Sequence, residues 1–191
     1  QFDTIYHEHL SYFLLRPLKI LFDSCGLGIF KVEEYDIHGG SIRVYASRNA
    51  REEIPSVQVM LDFEKHRGLY NLETYEPYSE RILQTKKALN KLLDDLLADD
   101  KKIMAYGASA KGISLMNYCG FGREKISAIV DDTPAKQGKF TPGSRVPIVD
   151  FSHFEKERPD YIALLPWNFS KELMKKTEHL GAKYIVPIPE V

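Results

Sequence analysis

The 191 residues are 43% hydrophobic and 28% charged, with a formal net charge of −1, the ordinary balance of a soluble globular chain. That charge gives no electrostatic case for nucleic acid or an anionic membrane, and no apolar run approaches the length of a membrane span. The two cysteines, Cys25 and Cys119, fit neither a metal-site spacing nor a disulfide framework, so a reducing, cytoplasmic setting is expected.

Residues 1–12 read QFDTIYHEHLSY, with no initial Met and no signal region, so the sequence is expected to be a stretch of a longer protein. LRPLKILFDSCGLG predicts a helix, with Pro17 suited to its first position and Gly26 to its exit. Residues 29–35 and 41–47 alternate as strands around the turn DIHGG, which predicts an antiparallel pair. Helices are expected over about 56–67 and 78–98. In the second, Leu89, Leu92, Leu93, Leu96 and Leu97 form a stripe read as core packing.

From Lys102 the pattern changes to alternating strands and helices. Strands are predicted at 103–106, 126–132, 145–150, 160–167 and 182–189. Helices are predicted after Gly112, at 153–157 and at 170–181. The fold class is therefore α/β. A Rossmann-like parallel domain at 101–191 follows a helical connector at 51–100, and the strand pair within 1–50 belongs to a different sheet.

Two stretches carry residue types suited to chemistry. Gly107-Ala108-Ser109-Ala110-Lys111-Gly112 is a small-residue turn between a strand and a helix. Such a turn lets backbone N–H groups approach a diphosphate at a helix N-terminus. It is an incomplete dinucleotide fingerprint, because Ser109 stands at the second glycine, and it is not a Walker loop. A tight turn without a ligand fits the same residues. Asp131, ending the second strand, suits a ribose contact or a cap on the next turn, and Lys111 suits a phosphate contact or the first helical turn. The second stretch is Tyr6, His7, Glu8 and His9. It lacks the H-E-x-x-H spacing of a zinc site, so no metal is expected. It suits general-base work, since histidine titrates near physiological pH and a neighbouring carboxylate or phenol can orient it. An ordinary hydrogen-bonded cluster at a helix entry suits it too. His38 falls in a glycine turn.

TIYHEHLSYF, IHGGSIRVYAS, YGASAKG, VDDTPAKQGKFTPGSRVPI, PWN and IVPIP, in that order, resemble the C-terminal part of bacterial sugar C-methyltransferases over the whole of Gln1 to Val191. The resemblance implies a protein that uses S-adenosylmethionine to methylate C3 of a nucleotide-linked 4-keto-deoxysugar. It implies a four-cysteine zinc module and a glycine-rich cofactor motif preceding Gln1. It makes the first 50 residues the tail of a class I methyltransferase domain and the strand pair the end of that domain's sheet. The pattern Y-x-E-H falls on Tyr6, Glu8 and His9. His9 is then the base at C3, with Tyr6 and Glu8 orienting sugar, base or developing oxyanion. Ser109, Lys111 and Asp131 are the expected substrate contacts of the C-terminal domain. The stretch alone is expected to hold no S-adenosylmethionine site and to be inactive. Its expected partner is a nucleotide-linked keto-deoxysugar, with neither nucleic acid nor membrane, and nothing in the residues specifies an oligomeric state. A nucleotide-binding or regulatory module without chemistry of its own, and an assembly domain built on the 78–98 helix, remain open alternatives.

Overall fold

The computed structural model describes residues 5, 6, 8–36 and 40–188. His7, His38 and the end of the last predicted strand lie outside the described residues. The chain forms two compact units, His9–Glu80 and Arg81–Val191, with Tyr6 and Glu8 grouped with the second. The division falls inside the 51–100 stretch expected to act as a connector.

In the first unit, helix α1 (Leu15–Ser24) leads into β1 (Gly28–Tyr35) and β2 (Ser41–Ser47), followed by helix α2 (Pro55–His66). The strands pair only with each other, antiparallel, with Val32 opposite Val44 and an irregularity between Ile29 and Lys31. That extra residue explains why Ile29 and Val32, three apart, are both buried. They pack with Leu15, Val57 and Met60 from the two helices. On β1 and β2 the polar side chains gather about Glu33, which pairs with Lys31 and accepts from the Tyr35 and Tyr45 hydroxyls at 2.8 Å each. These partners hold its carboxyl at about 2. Helix α1 starts two residues before Pro17, earlier than expected. The buried Glu64 carboxylate of α2 accepts from the backbone N–H of Leu15 and, at 3.2 Å, of Arg16, so the cap comes from a distant residue.

Helix α3 (Glu76–Ala98) crosses the division at Glu80. The second unit then alternates β3 (Ile103–Tyr106), α4 (Ala110–Cys119), β4 (Ile129–Val130), β5 (Ile148–Val149), α5 (Ser152–Glu157), β6 (Tyr161–Leu164), α6 (Ser170–Thr177) and β7 (Lys183–Ile185). All five strands are parallel, in the order β5-β4-β3-β6-β7. This is the doubly wound arrangement, whose chain reverses direction of growth between β3 and β6. Because strand side chains alternate, Ile103 and Ala105 face Leu89, Leu93 and Leu96 of α3 with Leu115 and Met116 of α4. Met104 and Tyr106 face Phe154 of α5 and Leu173 and Met174 of α6. The leucine stripe is thus core, as the period indicated.

The bridged strands are shorter than predicted. Ladder hydrogen bonds nonetheless run past both ends of the β3–β4 pairing, from Ser127 N to Ile103 O (3.1 Å) and from Gly107 N to Val130 O (2.7 Å). The outer edge of β5 is covered by the 138–141 segment, through Gly138 N to Ile148 O (2.9 Å) and Ile148 N to Lys139 O (2.8 Å). Such cover removes an open edge from the sheet.

Gly112 fixes the approach of α4 to the sheet, because a Cβ there would lie 2.4 Å from Leu165 Cβ. Gly112→Val is expected to destabilise the second unit by about 1–3 kcal/mol, the usual cost of overpacking. Thermal denaturation of the variant measures it, and an unchanged midpoint would contradict that packing.

Candidate functional site at the switch point of the parallel sheet

Ligands of open parallel sheets bind beyond the carboxyl ends of the strands where strand order reverses. Here that point lies between β3 and β6, so the turn after β3 meets the segment after β6. Gly107 opens the first of these with φ +83°, and a Cβ on it would lie 2.4 Å from Pro166 Cγ. Only glycine satisfies both the left-handed backbone and the contact. Ser109 is the N-cap of α4, and its hydroxyl accepts from Gly112 N at 3.2 Å. The Lys111 ammonium lies 4.8 Å from the ring centroid of Trp167, which is buried after β6.

Asp131 follows β4, is 5% exposed, and ties this turn to the next. One carboxylate oxygen accepts from Ala108 N at 2.7 Å and from the Lys136 ammonium at 3.0 Å, and the other from Thr133 N at 2.9 Å. Lys136 also reaches Ala108 O at 3.0 Å. Burial pushes the Asp131 carboxyl up, but the bonds from Thr133, Lys136 and Ala108 outweigh it and hold the group below its usual value. Its folded value is depressed, so its contribution to stability is present above the unfolded value of about 3.9 and lost as pH falls through the folded one. The stability gap between wild type and Asp131→Asn is therefore expected to be widest at neutral pH and to shrink below about pH 4. Urea titrations across pH 3–7 measure it, and a gap independent of pH would refute the assignment. Neighbouring Asp132 is exposed and accepts from Tyr106 OH (2.8 Å) and Lys176 Nζ (2.7 Å).

The residues singled out in the sequence fall in both units. Ser109, Lys111 and Asp131 share the carboxyl edge of the sheet. Tyr6 is half-buried, while Glu8 and His9 are exposed. Tyr6 and Glu8 group with the second unit, and His9 opens the first.

A family model described as the C-methyltransferase C-terminal domain matches residues 36–189. The chain belongs to this family. The C-methyltransferase NovU of Streptomyces niveus is 40% identical over 195 residues, an alignment that takes in 100% of this chain and 46% of that protein. The chain spans about half the length of this relative, and the two matches support a C-terminal part of a bacterial C-methyltransferase.

An α/β fold with a five-stranded parallel sheet and a separate antiparallel pair is what this C-methyltransferase domain was expected to show. The fit to S-adenosylmethionine is different. Among the described residues, the first unit offers a hairpin and two helices with no glycine-rich strand-to-helix turn. Those elements do not fit that cofactor. No group of three His, Cys, Asp or Glu side chains among the described residues is placed to hold a metal. No helix of the described residues is long and apolar enough to cross a membrane.

Sequence reasoning missed Pro166 and Trp167 as the opposite wall of the turn, and Lys136 as its clamp. PWN, one residue after the strand at 161–164, is the signal that could have marked the wall. Lys136 has no such signal, because only the folded loop returns it to Ala108.

Proposed function

We propose that this chain is the C-terminal part of an S-adenosylmethionine-dependent C-methyltransferase acting at C3 of a nucleotide-linked 4-keto-deoxysugar. The observation that carries the reading is the family match over 36–189 together with the 40% identity, across the whole chain, to a protein named as a C-methyltransferase. His9 is the proposed base. It takes the C3 proton, and the electron pair of the broken C–H bond enters the enolate formed with the adjacent 4-keto group. The ketone acidifies that proton, and Tyr6 and Glu8 hold the sugar, the base or the developing oxyanion. A bound S-adenosylmethionine would supply the electrophilic methyl group to that enolate carbon and would leave as the neutral thioether. In the parallel-sheet unit the nucleotide-sugar meets the Gly107–Gly112 turn. Ser109 and Lys111 are its proposed contacts, with Asp131 fixing the turn that presents them.

Two measurements test the reading. Calorimetry of the 191-residue chain is expected to give no heat with S-adenosylmethionine, and a stoichiometric micromolar site would contradict it. In the complete enzyme, hydrogen–deuterium exchange at C3 without methyl donor should depend on His9.

A further inference from the structure

The first unit contains a groove of about 540 Å³ between α1 and α2, within the size range of small-molecule sites. We infer that this groove binds a small phosphorylated or carboxylated polyol, an organic oxyanion that also carries hydroxyl donors.

The chain of residues behind the groove is fixed from the core outward. The buried Glu64 carboxylate accepts from Leu15 N, Arg16 N and, at 2.7 Å, the Tyr70 hydroxyl. Burial and that bond to Glu64 push the Tyr70 phenol up to about 12, so it stays a donor at neutral pH. The Arg16 guanidinium carbon lies over the Tyr70 ring, 4.7 Å from its centroid. Its backbone and its side chain are thus both anchored, directly or through Tyr70, to one carboxylate. A guanidinium placed over an aromatic ring still carries its fork of N–H donors, which suits a planar or tetrahedral oxyanion.

Charge pairing separates the groove's cations. Lys19 is taken by Glu53 at 2.8 Å. Among the described residues, no carboxylate lies within ion-pair distance of Arg16 or Lys65, and both line the groove. Two cations without a carboxylate partner among the described residues, on helices that line one groove, favour an anion. Asp23 and Asp62 line the same groove and accept hydrogen bonds, Asp62 already taking one from Gln58 at 2.9 Å. They disfavour a bare polyanion and favour a ligand whose body carries hydroxyl groups. Ile20 and Leu61 supply apolar contact for its carbon frame. None of these residues belongs to the switch-point site or to the Tyr6–His9 stretch, so the inference stands apart from the proposed reaction.

The test is an NMR titration of the amide-labelled chain with glucose 1-phosphate, inorganic phosphate and methyl glucoside as probes. Glucose 1-phosphate is expected to shift the Arg16, Ile20, Leu61 and Lys65 amides saturably at millimolar concentration. Phosphate alone should bind more weakly, and the neutral glucoside should not bind. Arg16→Met and Lys65→Met should each weaken glucose 1-phosphate about tenfold or more. Tyr70→Phe keeps the ring but frees it from Glu64, and should weaken binding less than Arg16→Met. Lys65→Met lies outside the Glu64 network, so its result does not depend on the fold of Arg16→Met. The proposal is overturned if no probe shifts those amides, if the glucoside binds as well as the phosphate ester, or if folded Lys65→Met and Arg16→Met titrate like wild type.

Discussion

His9→Ala in the complete enzyme is expected to lower kcat by about 10²–10⁴-fold, the range that a positioned general base contributes. Nucleotide-sugar affinity should change little, because the contacts proposed for the nucleotide lie on the parallel-sheet unit. Glu8→Gln and Tyr6→Phe should cost less, since those side chains orient a group and do not take the proton. The isotope experiment separates proton removal from methylation. Exchange of the C3 hydrogen with solvent deuterium requires the base and the ketone but no methyl donor. Loss of His9 should therefore abolish exchange and methylation together. A His9→Ala enzyme that exchanges the proton at the wild-type rate while failing to methylate would assign the base elsewhere and leave His9 only a positioning role.

The parallel sheet was legible because its signals are local. Ile103–Tyr106 is apolar at every position, as a strand buried on both faces must be. The leucines of 89–97 repeat at helical spacing, and Gly107–Gly112 stands between strand and helix. The separateness of the strand pair was legible too, since the pattern changes near Lys101. What stayed hidden depends on distant residues. The start of α1 is set by Glu64, 49 positions beyond Leu15, so Pro17 misplaced it by two residues. The strands after Ser127 and Arg145 read longer than they are because burial continues beyond the bridged pairs: Ile126 and Val146 are buried outside β4 and β5. In the site, spacing marked Ser109, Lys111 and Asp131. It did not show that Asp131 already accepts from Ala108, Thr133 and Lys136, nor that Pro166 and Trp167 form the opposing wall. Those contacts exist only once the order β4-β3-β6 is set.

Glu64→Ala is expected to be the most damaging single substitution in the first unit. Glu64 is 3% exposed and takes three donors: the N–H groups of Leu15 and Arg16 and the Tyr70 hydroxyl. Leu15 itself is fully buried, so water does not readily replace the carboxylate there. A buried donor left without a partner costs about 1–3 kcal/mol, and the truncation also leaves a void. Together these predict a loss of about 3 kcal/mol or more, the upper part of the range for single substitutions. Glu64→Gln keeps the shape but sets an NH₂ group against backbone donors, so it should fall between Glu64→Ala and wild type. Tyr70→Phe removes one donor along with its hydroxyl and should cost only about 1 kcal/mol. Because the chain has two units, a single global midpoint would blur the effect. Native-state hydrogen exchange resolves it, since the amides of α1 should lose protection in the order Glu64→Ala, Glu64→Gln, Tyr70→Phe while those of β3 and β6 keep theirs. Unchanged protection of α1 in Glu64→Ala would mean that the helix is held by its apolar face alone and that the carboxylate contributes nothing to its start.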